Sequence, residues 1–131
     1  MSALLRWKLG RGERDAHHER PCWDVIPRVQ GLPELLQADN DGKPGLCWIG
    51  HATALLRLGG LTLITDPVFH GLPMVRREEP PACSPGDIGA VDVVLISHGH
   101  HDHLQRRSIR QLPDSALYLV PGLTAYILAI V

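Results

Sequence analysis

The chain has 131 residues, enough for one domain of ordinary size. Its composition, 44% hydrophobic and 21% charged, is that of a globular protein and excludes a disordered one. The formal net charge of −1 gives none of the basic excess that nucleic-acid binding requires, so no nucleic acid is expected as a partner.

Residues 1–45 read as an N-terminal extension. Arg6, Lys8, Arg11, Arg14 and Arg20 alternate with Glu13, Asp15 and Glu19, the pattern of a solvated arm. A phosphate or lipid-headgroup patch is the sharper alternative. His17 and His18 sit in polar company and read as a surface pair. Pro33 to Ala38 predicts a turn or two of helix with proline near its first position. The turn cluster D-N-D-G-K-P-G, Asp39 to Gly45, marks where the folded core, residues 46–131, begins.

Leu46 to Ile49 is a short apolar run. Thr53 to Leu58 and Leu61 to Thr65 are two β-compatible runs joined by Gly59-Gly60, which predicts a hairpin. Only Arg57 is charged in the first of them, so that strand is expected to be covered on most of both faces. Pro67 then forces the chain out of the sheet. Phe69 to Gly89 reads as a long irregular stretch, with Arg76-Arg77-Glu78-Glu79 a solvated segment or, less simply, an anion-binding one. Val91 to Ile96 predicts a buried strand, Leu104 to Leu112 an amphipathic helix ended by Pro113, and Ala116 to Val120 another strand. Strand, loop, helix, strand is an α/β order.

Neither terminus predicts a targeting or spanning segment. The start lacks a signal-peptide stretch, and Ala116 to Val131 is broken by Pro121 and Gly122, short of the ~18 apolar residues of a membrane span. Cys22, Cys47 and Cys83 are odd in number and widely spaced, which fits reduced thiols in a cytoplasmic protein.

Ser97 to Leu104, S-H-G-H-H-D-H-L, places His98, His100, Asp102 and His103 within six positions. Imidazole and carboxylate are ligands that divalent zinc, manganese and iron all accept. His98 and His100 are two apart and project to one side, so they can share one ion. Asp102 and His103 point elsewhere, which suits a second ion beside the first. Asp102 alone could instead cap the following helix, and His98 or His103 alone could be a hydrogen-bonded core histidine. His101, the spacer, is expected to point away.

The H-x-H-x-D-H pattern resembles the signature of the metallo-β-lactamase superfamily. W-I-G-H-A-T at Trp48 to Thr53, the Gly-Gly hairpin, T-D-P-V-F at Thr65 to Phe69 and V-L-I-S-H at Val94 to His98 follow in order. Together they are similar to the branch containing N-acyl-phosphatidylethanolamine phospholipase D, with the ascorbate-6-phosphate lactonases next. The resemblance covers residues 46–123. It implies an αββα sandwich, of which this chain carries the N-terminal αβ half. It also implies one or two Zn2+ ions (or Mn2+ or Fe2+), His98 and His100 on one, Asp102 and His103 on the other. Asp102 would orient the attacking hydroxide. Asp66 is implied as a partner behind the metal loop, or is simply a turn residue before Pro67. His51 lines the site or makes a structural hydrogen bond.

Family members also draw a histidine, a bridging carboxylate and a final histidine from a second half. After His103 this chain has no histidine, and Asp114 is its one carboxylate. The expectation is therefore a truncated metal-dependent hydrolase, acting on a phosphodiester such as an N-acyl-phospholipid. A sugar-phosphate lactonase and a non-catalytic metal-binding half-domain are the alternatives. The substrate would be a small molecule or a phospholipid, reached by peripheral membrane contact at most. Half a sandwich would expose a sheet face and favour self-association.

Overall fold

The computed structural model describes residues 44–122, except 74, 76 and 78. The expected arm, the His17–His18 pair, the helical turn at Pro33 to Ala38 and Cys22 lie outside the described residues.

Five strands form one mixed sheet in the order β1-β2-β3-β4-β5: β1 Gly45–Gly50, β2 Thr53–Leu58, β3 Leu61–Thr65, β4 Val93–Leu95 and β5 Leu117–Leu119. The expected β2–β3 hairpin is present. Leu58 pairs with Leu61 across Gly59 and Gly60, whose φ values of 59° and 81° are the left-handed pair that a two-residue turn of this hand needs. A second hairpin, β1–β2, was not read from the sequence. Its register shifts between Trp48 and Gly50, and His51 and Ala52 form the turn. Gly50, at φ 142°, is required here: a Cβ would stand 3.0 Å from the Arg77 guanidinium.

β3 to β4 and β4 to β5 are parallel pairs, so each needs a long crossover. The first contains the single-turn helix α1, Pro85–Ile88, where a wholly irregular stretch was expected. The Asp87 carboxylate accepts from Ser84 N at 2.7 Å and Ser84 Oγ at 2.6 Å. Ser-Pro-x-Asp was the legible signal for this helix start. The second crossover contains the ligand loop and α2, Arg106–Ile109, shorter than the helix expected over residues 104–112. Its apolar spacing still holds, because Leu104, Ile109 and Leu112 are all buried. Arg77 is not the solvated residue expected. It is half-buried, and its guanidinium donates to Val68 O at 2.9 Å and Glu79 O at 3.0 Å, tying the crossover to the chain after β3.

Ile49, Leu55, Ile64, Val94 and Ile96 form the sheet side of the core, closed over by Phe69, Ile88, Leu104, Ile109 and Leu112. Among the described residues, none covers the other face. Leu46, Trp48, Leu58, Leu61, Leu117 and Leu119 are exposed on it, and Leu56, Leu63, Val93 and Leu95 are half-buried between them. The expectation that β2 is covered on most of both faces is therefore corrected. Its apolar residues alternate between a packed face and an open one, because the described helices lie on one side only.

Candidate metal centre

Three strand ends meet at one edge of the sheet. The β1–β2 turn brings His51, Asp66 follows β3 and Ser97 follows β4. In α/β sheets, ligands bind beyond the carboxyl ends of strands. Two threonines join these connections. Thr53, fully buried, donates from Oγ1 to Asp66 O at 2.7 Å and accepts from Val68 N at 3.0 Å. Thr65 Oγ1 donates to Ala52 O at 2.8 Å and accepts from Ala54 N at 3.0 Å. Their signal in the sequence was a threonine at the first position of β2 and at the last of β3.

The ligand loop is a tight turn. His100 O accepts from His103 N at 2.9 Å and Leu104 N at 2.7 Å. This turn stacks the His103 ring beside that of His98, with centroids 4.0 Å apart. The cap of α2 is Gln105, so Asp102 has no capping duty. His98 Nε2 and His100 Nδ1 lie 3.0 Å apart. Asp102 Oδ2 lies 3.7 Å from His103 Nε2 and 3.3 Å from His51 Nε2. Donors bound at 2.0–2.1 Å to one zinc ion stand about 2.9 Å apart at a right angle and about 3.4 Å apart at the tetrahedral angle. The observed separations fall around those values, so the donor set fits a divalent ion.

Behind the rings, Asp66 accepts three hydrogen bonds. Its Oδ1 takes Ser97 N at 2.7 Å, and its Oδ2 takes Ser97 Oγ at 2.7 Å and His103 Nδ1 at 2.8 Å. The Ser97 hydroxyl has one proton, given to Asp66, so it accepts from His98 Nδ1 at 2.9 Å. Both rings thereby carry hydrogen on Nδ1 and keep the Nε2 lone pair for a ligand, the usual support for a metal-binding histidine. Ser97 was not singled out from the sequence. Burial pushes the Asp66 carboxyl up, but the bonds from His103 and Ser97 outweigh it and hold the group below the ordinary carboxylate range. Partial burial likewise opposes the Asp102 charge. Its own backbone N–H and the neighbouring His103 and His51 outweigh that and keep it low.

Among the described residues, His51 and Asp66 are the two non-glycine positions with positive φ, at 53° and 35°. Such backbone costs about 1–3 kcal/mol each and concentrates at functional sites. All six residues singled out from the sequence are thus gathered at one edge: His51, Asp66, His98, His100, Asp102 and His103. His101 is exposed. His70 is elsewhere, with Nε2 2.7 Å from Gln111 Oε1. Cys47 and Cys83 are free thiols packed against the core, and neither joins the donor cluster.

Residues 45–128 match the family described as a beta-lactamase superfamily domain. The chain belongs to the metallo-β-lactamase superfamily. It is 34% identical over 111 residues to the N-acyl-phosphatidylethanolamine-hydrolyzing phospholipase D 1 of Caenorhabditis elegans, covering 77% of this chain and 31% of that one. It is 33% identical over 81 residues to a metal-dependent hydrolase of Haloquadratum walsbyi, covering 62% of this chain and 30% of that one. An isothiocyanate hydrolase from Delia radicum gut bacteria shares the fold, with a TM-score of 0.54, 22% identity, and coverage of 67% of this chain and 38% of its own. The chain spans about a third of the length of the curated relatives it matches. The expected αβ half of the sandwich is what the described residues form: one mixed sheet with short helices on one face.

Proposed function

We propose that this chain carries the first half of the metal centre of a phosphodiester hydrolase whose substrates are N-acyl-phospholipids. One observation carries the reading. His98 Nε2 and His100 Nδ1 converge at 3.0 Å, Asp102 Oδ2 and His103 Nε2 face each other at 3.7 Å, and Asp66 and Ser97 hold the far sides of the rings. The first pair would hold one ion and the second pair another, with zinc the expected metal and manganese or iron suited to the same donors. Divalent ions held there supply Lewis acidity toward a phosphoryl oxygen.

The chain's own residues do the rest. Asp102, kept ionised and with 41% of its side chain exposed, accepts a hydrogen bond from the attacking water and orients it. Asp66 and Ser97 keep the protons of His98 and His103 on the side away from substrate. The phospholipid reading is supported by the relative in Caenorhabditis elegans, whose name states that chemistry. No described helix is long and apolar enough to cross a membrane, and peripheral contact with lipid belongs to the same proposal.

The test is zinc titration of the purified chain, followed by turnover of a generic phosphodiester and of N-acyl-phosphatidylethanolamine vesicles. Zinc should bind, with His98→Ala weakening it at the first donor pair and Asp102→Asn at the second. Turnover should be absent until donors from a second polypeptide segment are supplied. A chain that binds neither zinc, manganese nor iron(II) refutes the reading. The uncovered sheet face supports a further expectation, that two copies pack sheet to sheet. Sedimentation equilibrium checks it, and a monomer at tens of micromolar sinks it.

A further inference from the structure

We propose that His51 is a third metal donor, completing with Asp102 and His103 a two-nitrogen, one-oxygen site built from this chain alone. The inference rests on the metal reading above and deepens it. From the sequence, His51 was either a lining residue or a structural hydrogen-bonding one. Its Nε2 lies 3.3 Å from the same Asp102 oxygen that His103 Nε2 approaches at 3.7 Å, and the three donor atoms all lie within 4.8 Å of one another. Asp102 Oδ2 is thus the shared vertex of a triangle with one candidate donor at each corner. The His51 and His103 rings stand at 80° to each other with centroids 5.3 Å apart, so their donor edges approach the vertex from different directions.

A second observation is independent of the side chains. The backbone of His51 is held at φ 53°, in the left-handed region that residues other than glycine uncommonly enter. The hold is built. Trp48 Nε1 donates to His51 O at 2.9 Å, the bulge at Gly50 redirects β1, and Thr65 Oγ1 fixes the next carbonyl, Ala52 O, at 2.8 Å. One exposed 3.3 Å contact is little return for fixing a histidine in strained backbone. An ion bound between His51, Asp102 and His103 is a sufficient one. Because 43% of the His51 side chain is exposed, the ring can meet an ion without first breaking core packing.

The experiment separates this claim from the one it rests on. In the full chain, His98→Ala with His100→Ala removes the first donor pair, so zinc calorimetry reports the second group. In that background Asp102→Asn should abolish binding. His51→Gln retains an amide donor for Asp102 but no imidazole. His51→Gly suits the left-handed backbone, so its loss of affinity cannot be ascribed to failed folding. Both His51 substitutions are expected to weaken zinc by more than about 100-fold, beyond the 10–100-fold typical of losing a residue behind a ligand. Unchanged affinity, or a loss that His51→Gln restores, overturns the inference while Asp102→Asn still upholds the metal reading. If the background protein binds no zinc but the unmodified chain does, the three-donor site is overturned. If the unmodified chain binds none, both readings fall.

Discussion

Asp66→Asn isolates the group that the proposed donors His98 and His103 lean on, directly or through Ser97. Asparagine is isosteric and tolerates the left-handed φ of 35° at this position, so backbone strain is nearly unchanged. What changes is the set of acceptors. Oδ1 takes Ser97 N, and Oδ2 takes both Ser97 Oγ and His103 Nδ1. With its oxygen toward Ser97 N, the new amide presents NH2 to the other two. The Ser97 hydroxyl can rotate and accept. His103 cannot keep hydrogen on Nδ1, so its proton moves to Nε2, the atom that faces Asp102. Hydrogen bonds to charged groups contribute about 1.5–3 kcal/mol each and neutral ones about 0.5–1.5, and all three contacts lose the charged partner, so destabilisation of about 2–4 kcal/mol is expected. Losing the tautomer should weaken metal binding by 10–100-fold, as for other partners behind a ligating histidine. Urea unfolding gives the first quantity and zinc calorimetry the second. Long-range 1H–15N spectra report the tautomer directly. Stability within about 0.5 kcal/mol of the unmodified chain, with His103 still protonated on Nδ1, would refute the reasoning.

The depressed Asp66 carboxyl also fixes a pH dependence. A lowered folded value means that its contribution is fully present above the ordinary aspartate value of about 4 and is lost as pH falls through the folded value, so the stability gap between the chain and Asp66→Asn should shrink in urea titrations below about pH 4. Gly50→Ala combines a φ of 142° with a 3.0 Å approach to Arg77, and should cost about 1–3 kcal/mol in urea unfolding; an unchanged midpoint would count against the bulge argument. Burial pushes the Cys83 thiol up to about 11, from an ordinary 9.0, so its alkylation at neutral pH should run roughly 100-fold slower than that of a free thiol, read by peptide mass spectrometry over time; labelling at the free-thiol rate would contradict the packing of Cys83 against the core. Leu55→Ala empties a fully buried position in the central part of the sheet and should cost about 2–5 kcal/mol, which a thermal melt will show as a large fall or as loss of the folded state.

Much of the centre was legible because its chemistry is local. His98, His100, Asp102 and His103 stand within six positions, and a carboxylate and imidazoles that close in sequence are close in space whatever the fold. The Gly59-Gly60 hairpin was legible for the same reason, since a two-residue turn needs no distant partner. The buried spacing of Leu104, Ile109 and Leu112 survived although the helix itself is only Arg106–Ile109, because burial follows the apolar pattern more closely than hydrogen bonding does. The β1–β2 hairpin was missed, as its Gly50-His51-Ala52 turn lacks the usual turn residues beyond one glycine. That glycine answers to Arg77, which lies 27 positions away in sequence.

The sequence by itself determined the family and the candidate donor types, because residue identity and spacing are enough to nominate a donor set. Tertiary structure decided the hydrogen-bond partners of those candidate donors. Asp66 meets Ser97 and His103 from 31 and 37 positions away, and this contact exists only once β3 and β4 lie side by side. It likewise decided where His51 goes. A strained turn after β1 carries its ring to Asp102, 51 positions along the chain, and no local pattern records that meeting.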